Sequence, residues 1–174
     1  RRERMTELVT LAHDLVEIPS HESETRAGDH VERWLRDHTD ATVERDPHGN
    51  VIARRRATDG SDTRLALVGH HDVVPPDQSQ VSGESYVVER RDGRLHGRGA
   101  ADMKGAVAAA MLAFRDIDRP GLVFASFAGE EVGGRGARAA IADGLPPDYA
   151  VAVAYTHLTL PTKRTRRTPG GALI

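Results

Sequence analysis

The chain has 174 residues, 39% of them apolar, with 24 lysines and arginines against 26 aspartates and glutamates. That is enough for one domain with a hydrophobic core and too little for two comfortable ones. It contains no cysteine, which excludes disulfides, thiolate nucleophiles and Cys-ligated zinc and leaves His, Asp and Glu as the strong metal ligands. No stretch approaches the ~18 consecutive apolar residues of a membrane span, and the opening RRERMTELVT lacks the apolar region and cleavage site of a signal peptide, so a cytoplasmic protein with no membrane partner is expected.

In chain order, Leu8, Leu11, Ala12, Leu15 and Val16 recur at helical spacing and stop before Ile18-Pro19-Ser20, predicting an amphipathic helix over 6–17. Ala27, Val31, Trp34 and Leu35 predict a second over 24–38. ATVERD and NVIARRR, separated by Pro47-His48-Gly49, read as a hairpin. RLALVGHHD is a continuous apolar run of the kind buried on both faces of a parallel sheet. After a polar loop, residues 104–116 are strongly helix-favouring, GLVFASFAGEE reads as another buried strand, GGRGARAAIADG as a short helix and YAVAVA as a further strand. Strand and helix alternate, the pattern of an α/β domain with a mostly parallel central sheet flanked by helices.

All acidic residues precede position 155, whereas the last twenty residues carry Lys163, Arg164, Arg166 and Arg167. Four charges without interleaved aromatics do not make a nucleic-acid arm, and no nucleic-acid partner is expected. Before that tail, Lys104 is the only lysine in an arginine-rich sequence.

Ligands of such sheets bind beyond the carboxyl ends of the strands. His70, His71 and Asp72 stand at one strand end, Glu130 and Glu131 at the next, and Asp102 just ahead of the helix between them. Singly, each has an ordinary structural role: a hydrogen-bonded strand-end histidine, a solvated glutamate pair, a helix cap. Together they are the ligand types that hold zinc, cobalt or manganese when thiolates are absent. One of two adjacent glutamates can ligate while the other handles protons. If His70 gives one ring nitrogen to a metal, the other needs an acceptor, and Asp72 lies on the same side of an extended segment. His71 lies on the opposite side. HGRGAADMKGA is not a phosphate loop, because Lys104 is followed by Gly105 and Ala106 rather than Ser or Thr. His21-Glu22 has no second histidine in register for HExxH.

GHHDVVPP (69–76), GRGAADMKG (97–105) and AGEEVGGRGA (128–137) resemble three motifs of the M20 family of metallopeptidases and deacylases, which includes desuccinylases, deacetylases and carboxypeptidases. The resemblance covers roughly residues 5–154. It implies a zinc-exopeptidase-like catalytic domain holding two divalent metal ions, zinc first, with cobalt or manganese as alternatives. It also implies metal ligands His70, Asp102 and Glu131, Asp72 as the carboxylate that orients His70, Glu130 as general base and then acid, a cis Asp102–Met103 peptide, and tight turning at Gly133, Gly134 and Gly136. The implied reaction is metal-assisted hydrolysis of the amide bond of an N-acyl amino acid or short peptide, with a lean towards desuccinylase or deacetylase. Carboxypeptidase or dipeptidase activity, or a non-catalytic metal-binding fragment, is the alternative.

The sequence departs from the family at position 155, where Tyr stands in place of an acidic ligand. No counterpart is expected within these residues for the lid or dimerisation domain through which the resemblance implies that relatives form homodimers. The expected organisation is therefore a truncated catalytic domain over 1–154, impaired in activity, and a non-native or disordered basic tail over 155–174.

Overall fold

A computed structural model describes residues 2–57, 63–145 and 147–152. The basic tail lies outside these residues. In chain order the elements are α1 (Arg2–Glu17), α2 (Thr25–His38), β1 (Thr42–Arg45), β2 (Val51–Arg54), β3 (Leu65–His70), β4 (Val81–Ser82), β5 (Ser85–Tyr86), β6 (Glu89–Arg91), β7 (Arg94–His96), α3 (Gly105–Asp116), β8 (Leu122–Phe127), α4 (Arg135–Ala142) and β9 (Tyr149–Ala152).

The main sheet has the order β1-β2-β8-β3-β9. β3 pairs in parallel with both β8 and β9, while β2 is antiparallel to β8 and to β1. Four of the five strands therefore run the same way, and the fold is a mixed α/β one with a mostly parallel sheet. Alternate side chains on β2 and β8 divide between two clusters, as a pleated strand requires. Val51, Ala53, Leu122 and Phe124 join α1, α2 and α3 through Leu15, Val31, Leu35, Met111 and Phe114 in the larger core. Ile52, Ala66, Val123 and Ala125 form a smaller cluster with Val68, Phe127 and Leu145 beside it. β8 is buried along nearly its whole length, as its continuous apolar run predicts.

The hairpin between β1 and β2 follows from its turn chemistry. The Asp46 carboxylate accepts hydrogen bonds from the backbone N–H of His48 and Asn50 at 2.8 and 2.9 Å, and Gly49 takes a φ of 88°, open to glycine without steric cost. The first helix begins at Arg2 rather than at residue 6. The polar loop after β3 differs more: it folds into two small hairpins, β4–β5 and β6–β7. Their strands are two or three residues long and mostly exposed, too short to leave a periodicity. The second does carry a local sign, since Asp92-Gly93 takes φ values of 53° and 73°, the left-handed pair that a two-residue hairpin turn needs.

Candidate metal centre

Register places the two halves of the site. β3 and β8 are parallel neighbours with His70 opposite Phe127, so the residues following each strand leave the sheet at one edge. His71 N–H donates to the Phe127 carbonyl at 3.1 Å, extending the pairing by one step. The third contribution comes from residues 100–104, a wide turn ahead of α3 in which Asp102 and Met103 have non-helical dihedrals. The Asp102–Met103 peptide is cis.

Ligand atoms of His70, Asp102 and Glu131 lie within 4.8 Å of one another. His70 is buried, and its two ring nitrogens face different partners. Nε2 is 3.1 Å from Asp102 Oδ1 and 3.8 Å from Glu130 Oε2. Nδ1 lies 3.0 Å from the Asp72 carbonyl oxygen and 3.5 Å from Asp72 Oδ1. The imidazole thus turns one nitrogen to the carboxylate cluster and the other to Asp72. The Glu130 side chain is 52% exposed and that of Asp102 53%, so the cluster opens to solvent on the carboxylate side.

The Asp72 carboxylate has a second task that its spacing from His70 did not reveal. Its Oδ1 accepts the Glu130 N–H at 3.1 Å and its Oδ2 the Glu131 N–H at 2.9 Å. One buried carboxylate therefore ties the end of β3 to the turn after β8. Burial works against its charge, but the hydrogen bonds from His70, Glu131 and Glu130 prevail and hold its pKa below the ordinary aspartate value.

The remaining pKa shifts reflect an excess of negative charge. Burial disfavours a charged His70, yet the hydrogen bond and charge of Asp72, with Glu130, outweigh it and raise the imidazole to about 9. Glu131 is pushed up by burial and then by the Asp102 carboxylate. Crowded carboxylates beside a histidine are the arrangement that a divalent cation relieves. The donor set, one imidazole and two carboxylates, suits such an ion.

His71 stands apart. It is fully buried, its Nδ1 is 2.8 Å from Ser126 Oγ, and burial lowers its pKa to about 4.

Two positioning residues escaped the sequence reading. Asn50, fully buried at the end of the β1–β2 turn, donates from Nδ2 to the Gly136 carbonyl at 3.0 Å and accepts the Ala128 N–H on Oδ1 at 3.0 Å. It thereby clamps both ends of the Glu130-Glu131 turn. A Cβ on Gly136 would lie 2.2 Å from Asn50 Oδ1 and 2.4 Å from the Ala128 oxygen, so only glycine fits there; Gly133 and Gly134 turn the chain with φ of 93° and 66°. Asn50→Ala would leave the buried Ala128 N–H without its acceptor and take one hydrogen bond from the Gly136 carbonyl, and a loss of roughly 1–3 kcal/mol in urea unfolding is expected. A loss below about 0.5 kcal/mol would show that the clamp is dispensable.

The second is Lys104. It is fully buried, its ammonium donates to the Ile18 carbonyl and sits 5.5 Å over the Tyr86 ring, and burial lowers its pKa to about 7. Tyr86 in turn holds the same segment, its hydroxyl accepting the Ser20 N–H at 3.2 Å and lying 2.7 Å from His21 Nδ1. Lysine and tyrosine together fasten the segment after α1, whose Ser20 carbonyl accepts the Val73 N–H at 3.3 Å. Its standing as the sole lysine before residue 155 was the available signal.

Known proteins share sequence and fold with this chain. Over 111 residues the chain is 38% identical to succinyl-diaminopimelate desuccinylase of Xylella fastidiosa, an alignment covering 63% of this chain and 29% of that protein. Over 74 residues it is 49% identical to succinyl-diaminopimelate desuccinylase of Burkholderia lata, covering 40% and 20% respectively. The chain thus spans less than a third of these relatives in the aligned regions. Among solved structures, human carnosine dipeptidase 1 superposes with a TM-score of 0.68 at 22% identity, covering 86% of this chain and 38% of that one. Aminopeptidase PepT from Bacillus cereus gives 0.67 at 21%, covering 86% and 43%. The likeness to these two is one of fold. The family model for peptidase family M20/M25/M40 matches residues 66–167, more than half of the sequence, and the chain belongs to that family.

Proposed function

We propose that this chain is part of the catalytic domain, over residues 1–154, of a metal-dependent hydrolase that cleaves the amide bond of N-acyl amino acids. The observation that carries the reading is the convergence of His70, Asp102 and Glu131 within 4.8 Å with the half-exposed Glu130 carboxylate 3.8 Å from His70 Nε2. A binding module has no need of that extra carboxylate. The curated relatives are named desuccinylases, which favours an N-succinyl amino acid over a peptide.

In this reading His70 Nε2 and the carboxylates of Asp102 and Glu131 hold divalent metal, zinc first, with cobalt or manganese compatible with the same donors. Two ions are inferred, on the resemblance of the three motifs to the family. Bound there, a divalent ion supplies Lewis acidity towards a carbonyl oxygen and lowers the pKa of water. The chain's own groups do the rest. Asp72 holds the His70 ring from its Nδ1 side and fixes the Glu130-Glu131 backbone, so ligand and base keep their spacing. Glu130 accepts a proton from the attacking water and returns it to the departing amine nitrogen, which leaves neutral.

Glu130→Gln separates the two tasks. Zinc affinity of the chain should change little, while hydrolysis of N-succinyl-diaminopimelate by the complete polypeptide should fall by roughly 10²–10⁴-fold. Equal loss of zinc binding and turnover would refute the division of labour.

A further inference from the structure

A cavity of about 340 Å³ opens beside the metal centre, with Val73, Val74, Arg98, Gly99, Asp102 and Glu131 among its lining residues. Two of these are the proposed ligands and two are aliphatic. Arg98 is the one cation on the wall, and among the described residues it forms no ion pair. The side-chain hydrogen bond it makes there runs from Nη2 to Gln80 Oε1 at 2.8 Å. Gln80 Oε1 is itself fixed by the Asp77 N–H at 2.9 Å, so the guanidinium is steadied from one side and keeps donors to spare. Its Nε is buried away from solvent, so the donors left for a ligand are those on the two Nη atoms. Arginine carries five N–H donors in a planar fork that suits a carboxylate, and one held in place loses less freedom on binding it.

Resting on the hydrolase reading, we infer that Arg98 is a specificity-determining residue that grips a carboxylate of the substrate while the amide bond lies at the Asp102-Glu131 side of the same cavity and the exposed Val74 covers the intervening methylenes. The preferred substrate class is therefore an N-acyl amino acid whose carboxylate lies within reach of that cavity, on the acyl arm as in a dicarboxylic monoamide or on the amino-acid arm.

Three probes titrated into the zinc-loaded chain distinguish the sources. N-succinylalaninamide carries a carboxylate on the acyl arm only, N-acetylalanine on the amino-acid arm only, and N-acetylalaninamide carries neither. One of the two charged probes should bind roughly tenfold or more tightly than the neutral one, and the tighter probe identifies the arm. Arg98→Gln should abolish that preference with zinc affinity unchanged. Arg98→Lys should keep only part of it, because the charge remains and the fork is lost; this variant serves if the first does not fold. Equal binding of all three probes, or a preference that survives Arg98→Gln because the metal alone provides it, would overturn the inference. Failure of the unsubstituted chain to bind zinc would overturn the hydrolase reading and this inference with it, whereas zinc binding without an Arg98-dependent preference overturns the inference alone.

Discussion

Zinc in large excess is expected to raise the unfolding midpoint of the chain, and His70→Ala to remove most of that gain. A ligand at ~1,000 times its dissociation constant stabilises the folded state by about 4 kcal/mol, on the order of 10 °C for a domain of this size. Among the described residues His70 contributes the only nitrogen of the cluster, and two crowded carboxylates without it make a much weaker site. The effect should depend on pH with a definite sign. Without metal, His70 keeps its proton up to about 9, whereas zinc takes the neutral ring, so binding must expel that proton. Apparent affinity should therefore climb from about pH 6.5 towards about 9, by up to roughly tenfold per unit. The metal-free chain should behave oppositely. Its His70 pKa lies above the unfolded value of about 6.5, so the contribution of the charged ring is fully present below that value and is lost as pH rises through about 9. Calorimetric zinc titrations and thermal melts across this range check both signs, and a zinc affinity that is flat or falls with rising pH would contradict the ligand assignment.

Asp72→Ala should cost more than any other single change in the site. The substitution removes a buried counter-charge from His70 and strips the acceptor from the N–H groups of both Glu130 and Glu131. Breaking a buried charge pair from one side costs roughly 3–5 kcal/mol, and loss of the carboxylate that orients a metal-binding histidine lowers metal affinity roughly 10–100-fold. Asp72→Asn sharpens the test. The amide keeps the shape and one acceptor oxygen, so stability should fall less, yet the counter-charge on His70 is gone and zinc should still bind more weakly. Urea unfolding and zinc titration of the two variants read these terms separately; an Asn variant with undiminished zinc affinity would show that Asp72 serves the backbone alone.

Much of this architecture was legible from local pattern. The apolar spacing of residues 8–16 and 27–35, the uninterrupted runs of β3 and β8, and the Asp46–Asn50 turn each announce their element, because helix and strand periods differ and turn residues have specific dihedral needs. The convergence of His70, Asp102 and Glu131 also follows from a topological rule, since parallel neighbours release their chains at the same edge. The small hairpins between β4 and β7 did not show, as strands that bury almost nothing carry no alternation. Nor did the insertion of the β1–β2 hairpin beside β8, which depends on partners distant in sequence.

The sequence by itself thus determined which chemistry is possible: no thiolates, two strand-end clusters of His, Asp and Glu, and motifs of one peptidase family. Only the tertiary structure decided how those groups divide their work. It sent the Asp72 carboxylate to the Glu130 and Glu131 amides as well as to His70, buried His71 against Ser126, buried Lys104 beneath the segment after α1, used Asn50 to clamp the turn after β8, and set Arg98 on the wall of the cavity. Composition and spacing constrain neighbours along the chain, whereas a hydrogen bond between residues 50 and 128, or 72 and 131, exists only once the sheet has brought its strand ends together.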